Sequence, residues 1–161
     1  MTSAPAITTC LWFDANAEEA ANFYVSIFPN SKITNLSRYG KNQPGPEGQV
    51  MVISFELGGK SYMGLNGGPV FKFSEAISQV VGCKDQAEID HYWDKLLAGG
   101  GAPQQCGWLK DRFGLSWQVV PAEIGDLMTK GGPKKSEAVM SAVMAMVKID
   151  LPKLRDAYNA G

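Results

Sequence analysis

Imidazole is almost missing from this chain: His91 is the single histidine in 161 residues. It falls in a helical segment beside Asp90 and Asp94, where a solvated ring is expected rather than a ligand or a catalytic base. Cysteine is scarce as well. Cys10, Cys83 and Cys106 are odd in number and form no CxxC pair, so neither a disulfide framework nor a zinc knuckle is indicated, and reduced thiols are expected. No long run of Lys or Arg tracks a phosphate backbone, and 15 basic against 16 acidic side chains leave a formal charge of −1, which argues against nucleic acid as a partner. Long apolar runs are lacking too. Val50 to Phe55 and Val139 to Val147 are too short or too interrupted to span a bilayer, and Met1 to Pro5 has no signal-peptide pattern, so a cytoplasmic protein without a membrane partner is expected. The glycine pairs Gly58-Gly59 and Gly67-Gly68 and the triplet Gly99-Gly100-Gly101 do not form a GxGxxG turn between a strand and a helix. A Rossmann site for a nucleotide or S-adenosylmethionine is therefore unsupported.

The length suits one domain able to bury a core. Ile7 to Phe13 reads as a strand. From Ala15 to Phe28 the positions Ala17, Ala20, Ala21, Tyr24, Ile27 and Phe28 recur with helical period, with Asp14 or Asn16 at the start and Pro29-Asn30 as the stop. Lys32 to Tyr39, Gln49 to Leu57 and Lys60 to Leu65 read as strands, the last two joined by Gly58-Gly59. The order then repeats, with Ala76 to Gly82 as strand, Asp85 to Leu97 as helix, and Gln104 to Leu109 and Leu115 to Val120 as strands about a turn at Asp111 to Gly114. At a common offset of 69 residues Trp93 falls on Tyr24, Tyr92 on Phe23 and Glu88 on Glu19, which suggests an internal duplication.

After Pro121 the pattern turns helical. Ala122 to Thr129 is followed by a Gly131-Gly132-Pro133 break and by Ser136 to Lys148, whose stripe is Val139, Met140, Val143, Met144 and Val147. A Met-rich stripe packs on its own domain or covers a second copy, so a homodimer is expected.

Three stretches carry a resemblance: Leu11-Trp12-Phe13-Asp14, Leu65-Asn66-Gly67-Gly68-Pro69, and above all Gln105-Cys106-Gly107-Trp108-Leu109-Lys110-Asp111-Arg112-Phe113-Gly114 with Ser116-Trp117-Gln118-Val119-Val120-Pro121. They resemble the PhnB-like, 3-demethylubiquinone methyltransferase-like family of the vicinal oxygen chelate superfamily, over about residues 5 to 150. The resemblance implies an α+β fold of two βαβββ modules whose sheets form a cleft, in a single domain over residues 1 to 161. Module one covers about 5 to 70, module two about 74 to 121, and a C-terminal helical extension covers 122 to 161.

In metal-dependent relatives the first and last strands of each module supply His or Glu ligands. Here those positions fall on Thr9 and Ser78, near Asn66, and on Gln118. All are neutral, so no metal and no cofactor are expected: a divalent ion would exchange its hydration for neutral oxygens alone. The same four can hydrogen-bond a small polar ligand, with Trp108 as an apolar wall and Arg38 toward an anionic group. By alternation, Ser116 and Gln118 share one face while Leu115, Trp117 and Val119 share the other. The expected function is binding of a small polar molecule in a metal-free cleft. The alternative is an enzyme on a small oxygenated substrate, with Cys106, Glu56 or Asp111 moving a proton and no catalytic residue singled out. The family's methyltransferase name stands without a visible cofactor site.

Overall fold

The computed structural model describes residues 3 to 161, and the chain divides into two compact units, residues 1–72 and 73–161. Unit one runs β1 (Thr9–Phe13), α1 (Ala17–Ile27), β2 (Lys32–Arg38), β3 (Val50–Leu57) and β4 (Lys60–Asn66). Its sheet order is β1-β4-β3-β2, with β1 parallel to β4 and the other pairs antiparallel. Unit two repeats this as β5 (Ser78–Cys83), α2 (Gln86–Leu97), β6 (Ala102–Pro103), β7 (Trp108–Lys110) and β8 (Ser116–Pro121), ordered β5-β8-β7-β6 with β5 parallel to β8. Helices α3 (Ile124–Thr129), α4 (Gly132–Met144) and α5 (Leu151–Ala160) complete it. The two βαβββ modules with C-terminal helices are the α+β arrangement expected.

In unit one the helix chooses the core. Ala17, Ala20, Ala21, Tyr24 and Ile27 form the buried stripe of α1, and Glu18 and Glu19 in its first turn complement the helix dipole. Tyr24 meets Phe55 at 6.3 Å, and Phe55 stacks on Tyr62 at 5.5 Å. Leu11, Phe13 and Ile53 share that buried face. Asn16 caps the helix without a side-chain bond. Instead, the first helical amide, Ala17 N, donates to Asn66 Oδ1 at 2.9 Å, while Asn66 Nδ2 donates to Val50 O at 2.9 Å. One buried carboxamide thus ties the end of β4 to both the start of α1 and the start of β3.

In unit two Asp85 caps α2 by accepting from Glu88 N at 2.9 Å, and Glu88 Oε2 accepts from Lys84 N, a reciprocal arrangement close to a capping box. Ile89, Trp93 and Leu96 are buried against the sheet. The Cys83 thiol faces the same side: burial, then the nearby Glu88 and Asp85 carboxylates, push its pKa up to about 11.

Three expectations need correction. The strand over 104 to 109 is broken into β6 and β7, because Cys106 and Gly107 both adopt left-handed backbone, φ 62° and 79°. With Trp108 N donating to Gln105 O at 3.1 Å they make a two-residue hairpin turn with both central φ values positive, which a Cys-Gly pair signals less plainly than Asn-Gly. The helix expected over 136 to 148 begins earlier, at Gly132 with Pro133 in its first turn, and stops at Met144. Met146 O and Val147 O then accept from Cys106 N and Gly107 N at 2.8 and 2.7 Å, so the segment past α4 is hydrogen-bonded to the hairpin turn. Last, the Met-rich stripe is split: Val139 and Val143 are buried, while Met140, Met144 and Val147 remain exposed.

Replacing Asn66 by Ala strands a buried helix amide and a buried strand carbonyl, so Asn66→Ala is expected to destabilise by roughly 2–3 kcal/mol. Urea denaturation should show this as a lower midpoint at unchanged slope. A second prediction concerns acid. The Glu75 carboxyl, hydrogen-bonded by Lys110 and then Gln104, is held down from 4.5 to about 2. A depressed carboxyl stabilises the fold above its ordinary pKa and stops doing so as pH falls through the folded value. The melting temperature of the wild type should therefore lose an increment between pH 4.5 and about 2 that Glu75→Gln lacks.

Candidate functional site

A strand side chain lies on one face or the other, and pairing register shows which. In unit one Thr9 pairs with Tyr62, Leu11 with Gly64 and Phe13 with Asn66, all on the face that packs beneath α1. Cys10 pairs with Met63 and Trp12 with Leu65 on the opposite, open face, which continues through Ser54 and Val52 of β3. In unit two Cys83 lies on the α2 side, and Val81, Val119 and Trp117 share its parity. Ser78, Val80, Ser116 and Gln118 occupy the open face, and β7 adds Trp108 opposite Gln118 and Lys110 opposite Ser116.

The offset of 69 residues therefore holds for the helices, Ala17 with Gln86, but the strands match by face at 70, Phe13 with Cys83. The connection from Phe13 to Ala17 is one residue longer than that from Cys83 to Gln86. A one-residue slip moves every side chain to the other face. Thr9 is thus on the helix side of its sheet, whereas Ser78 is on the open side of its own. The residue of β4 that stands where Gln118 stands in β8 is Met63, not Asn66.

Three of the six site residues expected from sequence come together on one surface. Gln118 Nε2 donates to Ser78 Oγ at 2.9 Å, and half-buried Trp108 is the neighbour of Gln118 across the β7–β8 ladder. Beside them, Val80 is 61 % exposed on the edge strand β5. Sequence reasoning passed over Ser116. Its Oγ is fully buried and has no hydrogen-bond partner among the described residues, and it pairs in register with Ser78. The signal was available in the alternation that puts Ser116 and Gln118 on one face. Lys110, at the end of this row, pairs with Glu75 at 2.7 Å.

The other three expected residues belong to unit one. Asn66 has both ends of its amide engaged by the fold, and Thr9 sits at the start of β1 on the α1 side. Arg38, at the end of β2, holds Glu18 at 3.1 Å and donates to Gly48 O at 3.1 Å. The proton-transfer candidates are dispersed too. Asp111 is buried and accepts from Phe113 N, Leu115 N and Trp117 Nε1, which knits the turn before β8. Glu56 lies 3.9 Å from Lys32, and the Cys106 sulfur is 3.7 Å from Met144 Sδ. His91 is exposed, edge-on to Tyr92.

Among the described residues no three His, Cys, Asp or Glu side chains stand close enough to share a metal ion. Nor does the donor set suit one. Ser78 and Gln118 are neutral and bonded to each other, and Asn66 is committed to backbone. The residues of these strands do not fit a divalent metal. No helix among the described residues is long and apolar enough to cross a membrane.

The family model of 3-demethylubiquinone-9 3-methyltransferase matches residues 5–120. A solved PhnB protein from Bacillus cereus, itself named for that methyltransferase, is 39 % identical, with 72 % of this chain and 99 % of that one covered at a TM-score of 0.66. Protein PA1353 from Pseudomonas aeruginosa is 21 % identical over 73 % of this chain and 98 % of its own, with a TM-score of 0.61. The fosfomycin resistance protein FosX from Listeria monocytogenes, solved with Mn(II) and sulfate, is 14 % identical over 84 % and 96 %, with a TM-score of 0.50, a likeness of fold alone. None of the curated proteins matches. By sequence and by fold, this chain belongs to the PhnB-like, 3-demethylubiquinone-9 3-methyltransferase family of the vicinal oxygen chelate superfamily.

Proposed function

We propose that this protein binds a small polar molecule, without a metal, on the open face of the β5-β8-β7-β6 sheet. The observation that carries the reading is the polar row Ser78, Ser116 and Gln118, in which one hydroxyl is buried and unsatisfied. A buried hydroxyl without a partner costs about 1–3 kcal/mol, and a ligand recovers that cost only if the side chains that cover Ser116 turn aside on binding. Around the row, exposed Val80 and the Trp108 ring supply apolar surface, the usual mixture of a few placed polar groups in apolar walls. The amide of Gln118 and the two hydroxyls both donate and accept, so they suit a hydroxyl or carbonyl ligand better than a bare charge. Thr9, Asn66 and Arg38 are not needed for this reading.

Methyl transfer does not follow from the family's name. No strand of either unit runs into its helix through a Gly-rich turn: β1 leads to α1 through Asp14-Ala15-Asn16, and β5 to α2 through Lys84-Asp85. We place the protein in a reducing, cytoplasmic setting on its three free thiols. We also infer a homodimer through the outward side of α4 and the segment after it, where Met140 and Met144 of the helix and Val147 beyond it are exposed apolar side chains that a second copy can cover isologously.

The test of binding is a thermal-shift screen of small hydroxylated and carbonyl metabolites on wild type and Gln118→Leu. A ligand at a hundredfold excess over its Kd adds about 2.7 kcal/mol, roughly 5–10 °C for a chain of this size. Hits are expected to shift the wild type and to lose most of that shift in Gln118→Leu. Hits that shift both proteins equally would place the binding elsewhere. For the dimer, sedimentation at micromolar concentration should give twice the chain mass for wild type and the chain mass for Met144→Glu. A monomeric wild type refutes it.

A further inference from the structure

A second pocket lies wholly within unit one. It has a volume of about 320 Å3 and is lined by Asp14, Tyr39, Pro44, Pro46, Gln49 and Gly67, with their neighbours in the 44–46 and 66–68 segments. That is at the small end of the roughly 300–1,000 Å3 typical of ligand sites.

Its walls are fixed. The Tyr39 hydroxyl donates to Asn66 O at 2.7 Å, and the ring lies so close to Gly45 that a Cβ there would fall 2.2 Å from Tyr39 Cε2. Only glycine fits beneath the ring. On the other side a Cβ at Gly67 would fall 2.2 Å from Trp12 Cζ2, and Trp12 Nε1 holds Gly68 O at 2.9 Å. Two prolines stiffen the remaining rim.

The hydrogen-bond inventory of this lining is lopsided. Four of its backbone donors are used: Gly67 N goes to Phe13 O, Gly68 N to Asp14 O, Tyr39 N to Gln49 O and Gln49 N to Pro46 O, whereas Ala15 N and Gly45 N have no partner among the described residues. The Tyr39 hydroxyl and the Asn66 amide nitrogen are engaged as well, and Pro44 and Pro46 have no N–H to offer. Acceptors remain. Each lining carbonyl that takes one bond keeps a second lone pair, and the exposed Asp14 carboxylate enters no hydrogen bond or ion pair among the described residues. No Lys, Arg or His lines the pocket, and only the Gln49 carboxamide offers both a donor and an acceptor.

A site with one unpaired anion, no cationic side chain and more spare acceptors than donors favours a ligand that donates and carries positive charge. We propose that this pocket binds a small organic ammonium, with its N–H groups on the Asp14 carboxylate and its carbon body against the remaining lining of Pro44, Pro46 and Gly67. This site is in a different unit from the polar row of β5 and β8 and does not depend on it.

The full chain, labelled with 15N, is titrated with n-butylammonium, n-butanol and butyrate in turn, and amide shifts are followed by NMR. Butylammonium should give saturable shifts centred on Gly45, Gln49, Gly67 and Gly68. In Asp14→Asn, which leaves an exposed side chain of the same shape, its affinity should fall about tenfold as the charge-assisted bond is lost. Butyrate and butanol should leave these amides still. The proposal is overturned if butyrate or butanol shifts the same amides with equal affinity, if Asp14→Asn binds butylammonium as tightly as the wild type, or if butylammonium at tens of millimolar moves none of them.

Discussion

Each module of this protein is organised by one constraint: a strand side chain must commit to one of two faces, and the helix that crosses the sheet takes one of them. In unit one α1 claims Leu11, Phe13, Ile53, Phe55 and Tyr62, and in unit two α2 claims Cys83, Leu109, Trp117 and Val119. Whatever lies between those positions is left on the open face. The chemistry available there is a remainder set by the core, and this is why Ser78, Ser116 and Gln118 arrive together without being neighbours in sequence. Where the strand enters the helix matters as much as the strand itself. One extra residue between β1 and α1, compared with β5 and α2, turns the polar side chain of Thr9 toward the helix.

The fold was legible in the sequence because its signals are local and repeated. The helical stripes that run through Tyr24 and Trp93, the Gly58-Gly59 turn and the Pro29 stop each state their element, and duplication states them twice. Face was less legible. Matching the modules on their aromatic helix pairs gives an offset that is right for α1 and α2, and nothing local reports the extra residue in one βα connection. Burial of Phe13 and Cys83 does report it, and only packing reveals that. The same limit explains Asn66. A polar residue at the end of a strand looks available until the unsatisfied amide of Ala17 and the carbonyl of Val50 are seen to claim it. At Cys106-Gly107 the left-handed turn stayed hidden because a cysteine rarely occupies such backbone.

Function separates from name at the level of donors. The family model describes a methyltransferase, and the FosX structure carries Mn(II), yet the strands of this chain present a hydroxyl, a second hydroxyl and a carboxamide. In the function we propose, these groups hold a polar molecule in place. Of the groups considered for proton transfer, Asp111 is engaged by three donors of its own turn.

On this reading the open sheet face of unit two is a site of neutral hydrogen-bonding groups, not a metal centre. Calorimetric titration of the wild-type protein with Mn(II), Zn(II), Ni(II) and Fe(II), each checked by the melting temperature at saturation, addresses it most directly. The account predicts no stoichiometric binding and no saturable rise in melting temperature with any of the four. One tightly bound ion per chain, with a large rise that Gln118→Leu removes, would contradict it.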